Sequence, residues 1–154
     1  MSTATDEPTT CDTEALNSLL RGELSAVETY TQAMSKFDDV QVISELQKIR
    51  DEHSRAVREL RDRVVLFSGT PAESSAVWGT FTAAVTATAK ALGPATVVAA
   101  LRQGEEHGIS AYEDALHNPE IHADCHRMIL TDLLPACRKH VEELNHLLGC
   151  SHHD

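Results

Sequence analysis

The stretch Leu16–Tyr30, LNSLLRGELSAVETY, decides how the chain folds. Leu16, Leu20, Val27 and, further on, Met34 and Phe37 follow one another on the spacing that keeps residues on one helix face. Glu23 stands in the middle of that face, where a Leu or Val belongs, and Tyr30 follows it on the same side. The pattern returns as Val98, Leu101, Glu105, Gly108, Tyr112 and Ala115, with Glu105 and Tyr112 in the corresponding places. Both carboxylates are therefore expected inside the protein. An isolated buried carboxylate costs several kcal/mol, on the order of 3–5 when its partner is removed. Each should therefore have a cation, a proton or a donor beside it.

Working outward, the apolar spacing predicts helix 1 over about Thr13–Phe37, capped by Asp12 or Thr13. Asp38 and Asp39 make a tight connection to helix 2, about Val40–Phe67, which Gly69 and Pro71 stop. Residues 68–93 are rich in Ser, Thr, Ala and Gly and carry Trp78 and Phe81. They read as a long crossover with short helical pieces, and those two aromatics are its expected anchors. Helix 3 spans about Pro94–Leu116 with Pro94 in its first turn. Asn118-Pro119 breaks the pattern, and helix 4 spans about Glu120–Leu148, with Pro135 expected to kink it. Residues 1–12 are expected to be a disordered lead of Thr, Asp, Glu and Pro, without the basic and apolar parts of a secretory signal, and 149–154 a flexible tail.

Two antiparallel helix pairs joined by a long crossover describe an all-α, ferritin-like four-helix bundle. The two halves also repeat: Glu23 and Tyr30 answer Glu105 and Tyr112, while His53 and His140 each precede a leucine, Leu60 and Leu147, by seven residues on the second helix of a half. Numbering alone places each Glu level with its His. The midpoint of Glu23 and His53 is Asp38, in the first turn; that of Glu105 and His140 lies between His122 and Ala123, just past the second. Two carboxylates and two imidazoles should meet near the bundle's centre, a donor set that suits iron, manganese or zinc.

The stretches Leu16–Tyr30, ELQKIRDEHSRAVREL at 45–60 and RQGEEHGISAYEDAL at 102–116 resemble the ferritin-like superfamily, rubrerythrin-type sequences in particular. More closely, they are similar to a bacterial family of uncharacterised ferritin-like four-helix-bundle proteins. The resemblance covers roughly residues 13–148 and implies the bundle; it implies no particular activity. A complete di-metal carboxylate site takes a lone Glu from two helices and a Glu-x-x-His pair from the other two. Glu23 and Glu105 match the lone positions, and His53 and His140 match the histidines, but three residues before each His stand Arg50 and Cys137. The expected set is therefore Glu23, His53, Glu105 and His140 around one ion, with Tyr30, Arg50, Tyr112 and Cys137 around them. Arg50 offers a guanidinium that could neutralise a carboxylate without metal. Cys137 is either a soft ligand or a small apolar residue.

The 154-residue chain is sized for one domain, and its net charge of −11 opposes binding to nucleic acid or anionic membrane. No apolar run is long enough to span a membrane. The cysteines, Cys11, Cys125, Cys137 and Cys150, show neither zinc-finger spacing nor a disulfide framework, so reduced thiols and a cytoplasmic location are the expectation. His117, His122, Cys125 and His126 form one His/Cys cluster and His146, Cys150, His152 and His153 another; both read first as surface composition and second as chelating sites. No Ser-His-Asp arrangement or phosphate-binding glycine loop is present. The residues support two readings of function. One is a non-enzymatic bundle with a degenerate centre, acting through its surface or as a homo-oligomer, a dimer first. The other is a metal-binding redox or stress protein. Arg50 and Cys137 favour the former; the level pairing of Glu with His favours the latter.

Overall fold

The computed structural model describes residues 11–75 and 93–151, apart from the side chains at 150 and 151. The expected disordered lead (save Cys11 and Asp12), the anchors Trp78 and Phe81, and the histidines 152 and 153 lie outside the described residues. The chain forms α1 (Thr13–Met34), α2 (Val40–Leu66), α3 (Pro94–Leu116), α4 (Ala123–Met128), a π-helical turn at Ile129–Leu133, and α5 (Leu134–Ser151). α4, the π turn and α5 together make the fourth rod of a ferritin-like bundle.

Local chemistry sets the ends. Asp12 caps α1 by accepting from the Ala15 amide at 2.9 Å, and Asp39 caps α2 by accepting from Gln41. Gly93, at φ +91°, turns the chain into α3 with Pro94 in the first turn. At the end of α2 the left-handed residue is Ser68, at φ +66°, rather than Gly69. Gly69 is needed for a close approach instead, since a Cβ there would lie 2.7 Å from Thr13 Cβ. Gly69→Ala is expected to lower stability by roughly 1–3 kcal/mol, the usual cost of overpacking, as a drop in the thermal midpoint; an unchanged midpoint would mean that the start of α1 yields freely.

The fourth rod departs from expectation at both ends. It starts at Ala123 because His122 acts as N-cap, its Nδ1 accepting from Asp124 N at 3.0 Å, and it runs on to Ser151. The expected disturbance at Pro135 takes the form of the π turn immediately before it, a common answer to a missing amide in a helix.

α1 packs along α2, and α3 along the fourth rod. Tyr30 of α1 reaches Glu105 of α3, while Glu23 of α1 reaches Tyr112, so numbers rise on one helix as they fall on the other. α1 and α3 are thus antiparallel, and α2 and α3 parallel. The apolar core divides in two. Leu16, Leu20, Leu60, Val64, Cys125 and Ile129 belong to one cluster, and Leu46, Ile49, Val97, Leu101 and Leu144 to the other. No helix among the described residues is long and apolar enough to cross a membrane.

Candidate metal centre

Between the two apolar clusters lies a polar layer. Glu23, His53, Glu105 and His140 are 5%, 5%, 3% and 1% exposed, so most of their hydrogen bonds must come from one another and from neighbouring side chains. Each comes from a different rod. His53 is the hub: its Nδ1 lies 2.5 Å from Glu23 Oε1 and its Nε2 2.7 Å from Glu105 Oε2. His140 Nδ1 lies 3.3 Å from Glu105 Oε1. The Tyr30 hydroxyl donates to Glu105 at 2.6 Å, and the Tyr112 hydroxyl donates to Glu23. The buried Cys137 lies near both carboxylates. Both imidazole planes lie close together, with ring centroids 4.8 Å apart.

Charge follows from this geometry. Burial alone would depress His53, but the carboxylates of Glu105 and Glu23 on its two nitrogens outweigh burial and push the imidazole well above its ordinary value. Burial would raise Glu105, yet His53 and His140 hold its carboxyl well below the usual range. Burial and the facing carboxylates push the phenols of Tyr30 and Tyr112 up. The same two causes push the Cys137 thiol far up, so in the metal-free protein it stays protonated.

Two residues sit otherwise than the sequence suggested. Arg50, expected beside the carboxylates, pairs instead with Asp51 at 3.3 Å on the flank of α2. Glu52, one residue from His53 and so about 100° round the helix from it, reads as turned away from the centre, yet it accepts from His140 Nε2 at 2.7 Å and reaches Lys139 at 3.7 Å. The signal for Glu52 was available: a buried imidazole has two nitrogens to satisfy, Glu105 can take only one of those of His140, and Glu52 is the acid level with it on α2. The pseudo-symmetry of the halves breaks here, because Lys139 stands where the repeat would put a second Glu52.

A cleft of about 310 Å³ opens onto this layer between α2 and the fourth rod, with Glu52, Glu59, Asp132, Cys137 and His140 among its walls. On the opposite side, between α1 and α3, is a smaller cavity of about 60 Å³ lined by Gly22, Ala26, Gly104 and Gly108. Gly108 does not force a close contact: a Cβ there would meet Cys137 Sγ at an ordinary 3.7 Å. Among the described residues, His53, Glu105 and His140 form the group that could hold a metal ion, their ligand atoms all within 4.8 Å of one another. The 117–126 cluster forms no such group. His122 caps α4, His126 Nε2 lies 3.1 Å from Ala115 O and 3.0 Å from Asn118 O, and His117 Nδ1 bonds Glu113 O.

A family model described as "Domain of unknown function (DUF2383)" matches residues 12–118, more than half of the chain. The chain belongs to this family. The DUF2383 match takes in Glu23, His53 and Glu105 and ends before His140, so three of the four central residues lie within it. Among solved structures, a chain from Bacillus anthracis str. Ames titled as ferritin like, diiron-carboxylate proteins is 21% identical. It aligns with a TM-score of 0.68 over 96% of this chain and 99% of its own. That likeness shows the ferritin-like fold of this DUF2383 protein. No curated protein matches the sequence.

Proposed function

We propose that this bundle binds one divalent transition-metal ion, iron, manganese or zinc, at its centre through His53, Glu105 and His140, with Glu23 alongside. The carrying observation is the gathering of these three donors in a buried layer at the foot of an open cleft. Two imidazole nitrogens with a carboxylate suit these ions. The donors fit one ion and not two. The positions that would complete a second set hold Arg50, which faces Asp51, and Cys137, whose thiol keeps its proton in the metal-free protein. A bound ion would supply Lewis acidity or, if it is iron or manganese, one-electron chemistry that fits a redox or stress role. Tyr30, Tyr112 and Glu52 orient the ligands by hydrogen bonds. Glu52, Glu59 and Asp132 on the cleft wall, in a chain of net charge −11, draw cations toward the opening.

A second reading has its own observation. His53 is clamped between Glu23 and Glu105, so a proton on its ring already offsets one of the two carboxylate charges. A metal-free, non-enzymatic bundle acting through its surface or as a dimer fits that clamp.

One experiment separates the two. Untagged protein is loaded anaerobically with Fe(II), Mn(II) or Zn(II), and bound metal is counted by mass spectrometry for wild type and for Glu105→Gln, with circular dichroism to check folding. One ion per chain, lost in the folded variant, is expected. Bound metal near zero in the wild type would leave the metal-free bundle as the answer.

A further inference from the structure

Cys11 and Cys125 are far apart in sequence and adjacent in space. Cys11 precedes the N-cap of α1, and Cys125 lies in the first turns of α4. Cys11 packs against the apolar cluster that contains Cys125, and the Cys125 amide donates to His122 O at 2.9 Å. The His122 amide donates to Cys11 Sγ at 3.2 Å. The flanking backbone is held as well: Asp12 N donates to Glu120 O at 2.8 Å, and Asn118 Nδ2 donates to Asp12 Oδ2 at 3.3 Å. Both sulfurs are free thiols. None of these contacts involves the polar layer, so the chemistry of this thiol pair is independent of metal binding.

We propose that Cys11 and Cys125 are a modification site: a dithiol that closes to a disulfide and clips the start of α1 to the fourth rod. The co-reactant is a small-molecule disulfide of the glutathione class. Cys11 is half-buried and meets the reagent first, while Cys125 is fully buried. In the first step the Cys11 thiolate, its proton gone to solvent, attacks one sulfur of the reagent. A mixed disulfide forms and one thiolate leaves. In the second step Cys125 gives up its proton, attacks Cys11 Sγ and expels the second thiolate. The protein dithiol has lost two electrons and two protons, and the reagent has become two thiols. Burial and the neighbouring Cys11 raise the Cys125 thiol to about 12, so the second step is the slow one. The loop closed spans most of the chain, which is where a crosslink restricts the unfolded state most.

The test uses the full-length, untagged protein equilibrated with oxidised and reduced glutathione at graded ratios. Non-reducing peptide mapping by mass spectrometry and thermal melts are the readouts. A Cys11–Cys125 peptide and a thermal midpoint raised by about 10 °C are expected, both reversed by excess reduced glutathione. Cys11→Ser, whose hydroxyl can still accept from His122, should fold and show no rise. Cys137→Ser/Cys150→Ser should keep it. Glutathione left on Cys11 without the joined peptide, linkage to Cys137, Cys150 or a second chain, or a joined peptide with an unchanged midpoint would each overturn the proposal.

Discussion

Glu105→Ala is expected to lower the unfolding free energy by about 3–5 kcal/mol, the cost of breaking a buried ion pair by removing one partner. Glu105 lies within hydrogen-bond distance of Tyr30, His53 and His140 together. Alanine leaves the Tyr30 hydroxyl and the charged His53 ring without this acceptor in a buried layer. A domain of this size has roughly 5–15 kcal/mol in all, so the variant should be close to unfolding at room temperature. Glu105→Gln keeps the shape and one acceptor oxygen but removes the charge, and its loss should be smaller, about 2 kcal/mol. Glu106→Ala, one residue on and exposed, should change stability by less than about 0.5 kcal/mol. Urea unfolding of the metal-free proteins measures all three. A loss below about 1 kcal/mol for Glu105→Ala would show that the layer is solvated and that its hydrogen bonds do not carry the fold.

The contrast between neighbouring glutamates also shows what could be read in advance. Glu23, Glu105, His53 and His140 were legible because helical spacing fixes which side of a rod faces inward, and equal distances from a turn fix the height. Both rules are local and survive packing. Glu52 and Arg50 were misjudged for a common reason. Each lies at the margin of α2's inner face, where a modest rotation of the helix, set by its neighbours, decides which partner is met. Glu52 meets His140 because that imidazole needs a second acceptor; Arg50 meets Asp51 because Glu23 and Glu105 are already filled by tyrosines and His53. Helix ends were read less well than faces. The start of α4 depends on a histidine cap, and the end of α2, expected at Gly69 and Pro71, has Ser68 in the left-handed conformation.

Stability of the metal-free protein should fall as the pH rises above neutrality, and His53 should be the reason. Its folded value is raised far above the unfolded value of about 6.5 by the carboxylates of Glu105 and Glu23, which outweigh burial. The stabilisation from its charge is therefore complete below about pH 6.5. Above that, the unfolded chain no longer holds the proton, and the contribution shrinks until the pH passes the folded value. Glu105 acts in the opposite sense. Its folded value is depressed by His53 and His140, so its contribution is complete above about pH 4.3 and is lost as the pH falls toward the folded value. The pair is fully stabilising between about pH 4.5 and 6.5. Unfolding free energy measured by urea from about pH 4 to 9, with chelator present, should peak in that window and decline by about 1.4 kcal/mol per pH unit on its alkaline side. In His53→Gln, lower in stability throughout, the alkaline decline should flatten. An equally steep decline in that variant would assign the pH dependence to other groups and leave His53 neutral in its clamp.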